Sequence, residues 1–264
     1  GEALVPPARQ ALRDIEHAAA AVAAVTGLVG GRLDLATLPT LAADPVAELV
    51  GRFRGAHPGV TVRLGAPNDL DALADDVRSG RAELGITEQG PANEGLEEIR
   101  LHDQELLAVS PPGGAGQGIR LDRLGDLPLV LGPPGSSQRE VVETAFAAAG
   151  VVPQVAVETA QREALIPLVL AGAGTTFLPN RLAEAAGRLG ATVRPTVPRL
   201  RRTIVLLHRQ GSIGPAAARF IALATDERSG GRLSPVPASR SSPAPRRQGG
   251  ARATRARTGT AARS

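Results

Sequence analysis

The sequence predicts an α/β fold made of two lobes. Two observations predict it: short apolar strands alternate with amphipathic helices from Arg32 onwards, and the same alternation starts again after a Pro- and Gly-rich break at 111–118. The composition agrees, because 264 residues with 42% hydrophobic side chains can bury a sizeable core. The chain has no Cys, which excludes disulfides, thiolate nucleophiles and Cys-ligated zinc.

The first 29 residues predict an amphipathic helix. Their apolar side chains recur every three or four residues, and Gly30-Gly31 end the pattern with a flexible joint. An isolated helix with such a stripe needs a partner to cover it. We therefore expect residues 1–29 to be a linker or dimerisation helix.

The first half of the remaining chain contains four predicted strands and two predicted helices. Apolar residues at helical spacing, such as Val46, Leu49 and Phe53, predict the helices, and the second helix closes on Gly80 as a C-terminal glycine cap does. The predicted strands are 32–37, 60–66, 83–87 and 104–110, and the helices lie around 46–53 and 70–79.

The second half repeats this order without obvious sequence identity. Its first helix closes on Gly150, and its last helix is expected to return to the first lobe. The predicted strands are 127–132, 155–158, 175–178, 191–197 and 202–209, and the predicted helices are 138–149, 162–171 and 214–225.

Charge is distributed unevenly along the chain. Eight of the 30 Arg residues and no acidic residue lie in 229–264, so the remaining 22 Arg stand against 26 acidic residues and give the rest of the chain a net charge of −4. The segment 229–264 is rich in Pro, Ser, Gly and Arg and poor in large apolar residues, a composition that predicts disorder. The basic character therefore belongs to the tail and not to a face of the fold.

Several motifs stand in a specific order. They are GEAL with PPARQAL, then GRLDLAT, LVGRFRGAHPGVTVRL, SGRAELGIT, LDRLGDLPLVL, SSQREVVETAFAAAGVVPQ and PLVLAGAGTTFLP. In this order they resemble the linker helix and effector-binding domain of LysR-type transcriptional regulators, over about residues 1 to 226. The sequence departs from the family pattern at Glu83, where the family usually has Asp, and at Thr176-Phe177, in a turn that is usually more aliphatic.

The resemblance implies a two-lobed fold like that of type II periplasmic binding proteins, with two crossover strands and a small-molecule cleft, preceded by the linker helix. The crossovers are expected near Val109-Ser110 and near His208-Arg209. The implied parts are the linker helix 1–29, the effector-binding domain 30–228 (lobe I about 30–108 and 210–228, lobe II about 109–209) and the disordered tail 229–264.

The candidate ligand site follows from the topology. Ligands of open α/β sheets bind beyond the carboxyl ends of strands, where helix N-termini present free N–H groups. Hydroxyl groups follow the predicted strands 32–37 and 127–132 at such places, and the resemblance implies that the two places face each other across the cleft. The resemblance also implies that Thr87 and Glu88, at the end of the predicted strand 83–87, reach this cleft. The predicted ligand-binding residues are Thr37, Thr40, Thr87, Glu88, Ser136, Ser137, Arg139 and Thr175.

Simpler interpretations stand beside these. Thr40 and Ser137 could be helix N-caps with no ligand role. Glu88 could lie in a solvated loop. Arg139 could pair with a carboxylate effector or could be an exposed arginine, although a cation in the first turn of a helix opposes the helix dipole.

Catalytic and cofactor chemistry find no support in the sequence. The four His residues are scattered without metal-ligand spacing, no Ser stands in a nucleophile-elbow context, and the chain has no Lys for a phosphate-binding loop. We therefore expect no catalytic residue, no metal site and no cofactor.

The resemblance implies the effector-sensing domain of a LysR-type regulator, which binds a small, anionic metabolite and acts as a homodimer or tetramer. DNA would be contacted by an N-terminal winged helix-turn-helix domain that is missing from this sequence. One alternative is a transporter's solute receptor of the same fold, which predicts a secretory signal or a lipid-anchored Cys. Another is nonspecific nucleic-acid binding by the Arg-rich tail. No run approaches the roughly 20 apolar residues of a membrane span, so we expect a cytoplasmic protein.

Overall fold

The computed structural model describes residues 31–226, except 68, 114–117, 126 and 212, together with four positions near the start of the chain. Those four positions are Leu4, Val5, Ala8 and Ile15. The predicted linker helix is thus almost entirely outside the described residues, and the predicted disordered tail is entirely outside them. Both remain predictions.

The described part contains eleven strands and six helices. The strands are β1 (Gly31–Thr37), β2 (Val60–Gly65), β3 (Leu84–Glu88), β4 (Glu97–Ser110), β5 (Ile119–Arg120), β6 (Leu129–Leu131), β7 (Val155–Glu158), β8 (Thr176–Pro179), β9 (Thr192–Arg194), β10 (Thr196–Val197) and β11 (Leu200–His208). The helices are α1 (Ala47–Ala56), α2 (Leu70–Arg78), α3 (Ser137–Ala148), α4 (Leu165–Leu170), α5 (Asn180–Arg188) and α6 (Pro215–Asp226). Short helical turns at Pro39–Leu41 and Ala42–Val46 lead into α1.

A seven-stranded sheet runs through both lobes in the order β2-β1-β3-β11-β4-β8, with β9 also paired to β4. The pairs β1-β2 and β1-β3 are parallel, as expected where helices connect successive strands. The long strand β11 is antiparallel to both β3 and β4. The short pairs β6-β7 and β5-β10 are parallel and belong to the second lobe.

The first lobe has its own apolar core, which packs the helices α1, α2 and α6 onto β1, β3 and β11. Phe53 of α1 and Phe220 of α6 are fully buried, and their ring centroids lie 5.3 Å apart in an edge-on arrangement. A Cβ at Gly85 of β3 would come within 2.9 Å of Leu73 and Val77, so glycine permits α2 to pack closely on the strand.

The second lobe contains two further apolar clusters. One gathers Phe146 of α3 and Phe177 of β8 with leucines of β4 and β6, and the other packs α4 and α5 against β4 and β8. Gly174 closes the turn before β8 with φ +148°, and a Cβ there would overlap the carbonyl oxygen of Pro128. The segment 171–174 is thus a tight packing turn.

Two strands cross between the lobes, but at other positions than those predicted. On β4, Leu101 packs in the core of the first lobe and Leu106 in a core of the second lobe. On β11, Leu200 packs in that core of the second lobe and Ile204 in the core of the first lobe. Ser110 and His208 instead end these strands. The predicted crossovers were placed too late because long strands run through the boundary without interruption.

The structure also contains secondary structure that the sequence did not predict. Helix α5 (Asn180–Arg188) is absent from the predicted elements, although its buried residues Ala183 and Ala186 recur at helical spacing. The first half of β4 was missed because its side chains are largely charged and exposed. Among the described residues, no helix is long and apolar enough to cross a membrane.

Candidate functional site

The carboxyl ends of β1 and β3 form the polar edge of the first lobe. The two strands are parallel, and Thr37 lies in register with Ile86. The Thr37 hydroxyl donates a hydrogen bond of 3.1 Å to the Ile86 carbonyl oxygen. This register brings Thr37 to the same edge as Thr87 and Glu88, as the topology predicts.

The carboxyl ends of β6 and β7 form the corresponding edge of the second lobe. These strands are also parallel, with Leu131 in register with Glu158. Helix α3 begins after β6, with Ser136 as its N-cap residue and Ser137 as its first helical residue. Both serines are buried, with 4% and 1% of their surface exposed.

The two edges meet at a buried cluster of charged and polar groups. The Ser137 hydroxyl donates to the Glu88 carboxylate and accepts a hydrogen bond of 2.9 Å from Nη1 of Arg202. The same Arg202 nitrogen lies 2.7 Å from Oε1 of Glu88. Glu88 belongs to the first lobe, Ser137 to the second, and Arg202 to the crossover strand β11, so this cluster connects the lobes.

The cluster continues along the crossover strands to the first lobe. Nε and Nη2 of Arg202 donate to Oε1 of Gln104 on β4 at 2.8 and 2.6 Å. The Gln104 amide nitrogen in turn donates to the Asp44 carbonyl oxygen at 2.9 Å. Arg202 therefore uses all three guanidinium nitrogens in hydrogen bonds that span both crossover strands.

Burial sets the electrostatics of the Glu88–Arg202 pair. Loss of solvent raises the pKa of Glu88, and the charge and hydrogen bond of Arg202 oppose that rise. Burial also lowers the pKa of Arg202, against the charge of Glu88. Each ion stabilises the charged form of the other in this low-dielectric site. A buried charge without its partner would strongly destabilise the fold.

Three buried hydroxyls at these edges have no hydrogen-bond partner among the described residues. They belong to Thr40, Thr87 and Ser136, which are 4%, 1% and 4% exposed. Buried hydroxyls in native proteins are nearly always paired, because an unpaired one costs about 1–3 kcal/mol. Their concentration at the strand ends marks the place where a polar ligand would supply the missing partners.

The structure contradicts the simpler capping interpretation of Thr40 and Ser137. Leu38 and Ser136 occupy the N-cap positions of their helices, and neither helix has a side-chain cap hydrogen bond. Glu88 is buried, so the solvated-loop interpretation is also wrong.

Two predicted residues have protein partners. Arg139 is not exposed but half-buried, and it pairs with Glu143 and, at 3.7 Å, with Glu158. Thr175 bonds to the Ser110 hydroxyl at 2.9 Å.

The position of Thr175 also removes it from the candidate site. It aligns with Leu129 at the start of β6, whereas Ser136 and Ser137 follow the end of that strand. Thr175 therefore lies at the amino edge of the parallel strands, away from Ser136 and Ser137.

Sequence reasoning missed Arg202 and Gln104, although one signal for Arg202 was available. Along β11, Leu200, Arg202 and Ile204 share one face, and Leu200 and Ile204 belong to the cores. A charged residue on an apolar strand face predicts a buried partner. Within the described residues, no group of three or more His, Asp or Glu side chains could hold a metal ion.

The geometry defines the class of the domain. Two α/β lobes, two antiparallel crossover strands and two polar edges that meet between the lobes are the features of a type II periplasmic-binding-protein-like domain, and solved structures confirm this fold. The effector binding domain of QuiR in complex with shikimate matches with a TM-score of 0.67 at 21% identity, covering 77% of this chain and all of that one. The regulatory domain of CcmR from Synechocystis, in complex with 2-PG, matches with a TM-score of 0.66 at 21% identity over 74% of this chain and 96% of that one.

The sequence profile of the LysR substrate binding domain matches residues 26–229, so the chain belongs to this family. It is 30% identical to the RuBisCO operon transcriptional regulator of Acidithiobacillus ferrooxidans over 195 residues, which cover 72% of this chain and 62% of the relative. It is 28% identical to the transcriptional regulator IlvR of Caulobacter vibrioides over 75% of this chain and 68% of that protein. The family consists of regulatory ligand-binding domains and not of enzymes, as the sequence predicts.

The chain spans about three fifths of the length of the first curated relatives that it matches. The transporter alternative is not favoured, because the family is that of LysR-type regulators.

Proposed function

We propose that this domain senses a small polar, anionic metabolite between its two lobes as part of a LysR-type transcriptional regulator. The observation that carries this proposal is the set of unpartnered buried hydroxyls of Thr40, Thr87 and Ser136 at the two meeting edges. A ligand that hydrogen-bonds to both edges favours the arrangement in which they are close. Only such differential affinity lets a ligand shift a conformational equilibrium.

The whole regulator would act on DNA through a further domain and as an oligomer. The structure of full-length CbnR with its target DNA, which matches with a TM-score of 0.65 at 24% identity over 85% of this chain and 79% of CbnR, supports this arrangement. The family assignment likewise supports a cytoplasmic location, where a regulator meets DNA and metabolites.

Thr87→Val is the sharpest test of the site. Valine keeps the shape of threonine and removes the unpaired hydroxyl, so the free domain should be equally stable or more stable by up to about 1–3 kcal/mol. A hydrogen bond to a charged ligand contributes about 1.5–3 kcal/mol, so affinity should fall by about 10- to 100-fold. Calorimetric titration of a panel that includes shikimate and 2-PG, with urea unfolding of the ligand-free proteins, measures both quantities.

Thr203→Val is the matched control. Thr203 lies on β11 and its hydroxyl bonds to Asp103 at the surface, so its loss should leave affinity unchanged. If Thr87→Val lowers stability and leaves the affinity of every bound ligand unchanged, Thr87 is a structural residue. If the wild-type protein binds no member of a broad metabolite panel, the proposed sensing function is refuted.

A further inference from the structure

Arg162 is the one guanidinium at these edges for which the described residues supply no partner. It begins the helical turn Arg162–Ala164 that follows β7, it is half-buried, and it takes part in no hydrogen bond or ion pair within the described part of the chain. A half-buried cation that lacks a counter-charge is costly, because burial disfavours the charged form. Burial is also the main cause that lowers the pKa of Arg162.

The topology places Arg162 beside the serines of the candidate site. Strands β6 and β7 are parallel, and the Thr159 amide donates to the Leu131 carbonyl oxygen at 3.0 Å. The segments after both strands therefore leave the same edge, one leading to Ser136 and Ser137 and the other to Arg162.

Charge interactions are consistent with this location. The positive charge of Arg162 opposes the rise in the pKa of Glu88, which agrees with the place that the topology gives to Arg162. Glu88 does not neutralise it, since the carboxylate already bonds to Arg202 and Ser137.

The other charged groups on this edge also leave Arg162 without a partner. Arg139 pairs with Glu143 and Glu158, and Glu140 is exposed on α3. The site thus contains one neutralised ion pair and one additional positive charge.

We propose that Arg162 is the counter-charge for the ligand of this domain, and that the ligand is a small acid whose anionic group binds Arg162 while its hydroxyl or carbonyl groups bind Thr40, Thr87 and Ser136. This inference rests on the proposed sensing function and adds the residue that selects the anionic group of the ligand. A neutral ligand would leave the positive charge of Arg162 uncompensated. A small carboxylate with hydroxyl groups supplies every missing partner.

The test compares acids with their neutral counterparts. The probes are glycolate and malate and the corresponding amides, titrated by calorimetry at constant ionic strength into wild-type, Arg162→Gln, Arg162→Lys and Arg120→Gln proteins. Arg120 is the matched control, because it is an exposed arginine of the same lobe that pairs with Asp122. Arg162→Gln should keep the fold, since no partner is lost.

We expect the wild-type protein to prefer the acids, and Arg162→Gln to weaken their binding by about 10- to 100-fold while leaving the amides unaffected. Arg162→Lys should retain part of the preference, and Arg120→Gln should retain all of it. A second readout is an NMR titration of the Glu88 carboxyl: loss of the nearby positive charge in Arg162→Gln should raise its pKa.

Acid binding that is unchanged in Arg162→Gln, or an unchanged pKa of Glu88, would overturn the inference and leave the proposed function intact. A wild-type protein that binds the amides as tightly as the acids would have the same meaning. Failure of the wild-type protein to bind any of these probes or any member of the broader panel would refute both the proposed function and this inference.

Discussion

Replacement of Arg202 by methionine should destabilise the domain strongly and in a pH-dependent manner. Arg202 is 6% exposed, and methionine would fill part of its volume with an apolar side chain. The Glu88 carboxylate would then be buried without its ion partner. Removal of one member of a buried ion pair costs about 3–5 kcal/mol. Since a domain of this size shifts its melting temperature by about 2–4 °C per kcal/mol, the expected decrease is about 6–20 °C.

The sign of the pH dependence follows from Glu88. Its pKa in the folded protein is already above the ordinary value, and Arg202 is the main group that opposes the rise. Without Arg202, the pKa of Glu88 in the folded variant rises further above its value in the unfolded chain. At pH values between these two pKa values, Glu88 is protonated in the folded variant and ionised in the unfolded chain. Stability lost in the variant is therefore small near pH 4.5 and grows as pH rises through this range.

The measurement is urea unfolding followed by far-UV circular dichroism at pH about 5 and about 8, because the chain has no Trp or Tyr for fluorescence. The double variant Arg202→Met with Glu88→Gln should recover most of the loss and show little pH dependence. Arg199→Met, which removes the pair between the exposed Arg199, just before β11, and Glu105 of β4, should cost no more than about 1 kcal/mol. A loss for Arg202→Met that is equal at both pH values, or smaller than that of Arg199→Met, refutes the reasoning.

Two other predictions concern the packing. Gly172→Ala places a side chain at φ +88° in open space and should cost about 1–2 kcal/mol, whereas Gly174→Ala also meets the Pro128 carbonyl and should cost more; equal losses by urea unfolding would show that the turn relaxes freely. Phe53→Ala removes a fully buried ring from the first core and should cost about 3–5 kcal/mol in the same assay; a loss below about 1 kcal/mol would mean that the core closes over the cavity.

The sequence predicts the elements that have strong apolar contrast. The prediction for β7 has the observed bounds, and that for α3 differs by one residue at each end, because alternation or helical spacing is clear in both. Helix α5 was missed although its buried positions, Ala183 and Ala186, recur at helical spacing. The crossovers were misplaced because pairing partners, and not local patterns, decide where a continuous strand changes from one core to the other.

The site was predictable in part for a related reason. The strand-end rule leads to Thr40 and Ser136 because chain direction in a parallel sheet follows from the order of elements, and the family resemblance leads to Thr87. Arg202 lies 114 residues from Glu88 in sequence, and no local pattern connects them. Only the folded register of β11 against β3 and β4 brings the pair together.

The crossover strands β4 and β11 have a mechanical consequence. They pair as an antiparallel ribbon from Leu200 opposite Leu106 to His208 opposite Glu97, and the register shifts between Ile204 and Val205. A β-bulge bends its strand and increases the local twist. Because the connection between the lobes is a hydrogen-bonded ribbon and not a pair of separate loops, rotation of one lobe against the other twists both strands together and preserves their ladder. We therefore expect the ribbon to twist as one unit if the lobes rotate, with backbone amides that exchange slowly with solvent.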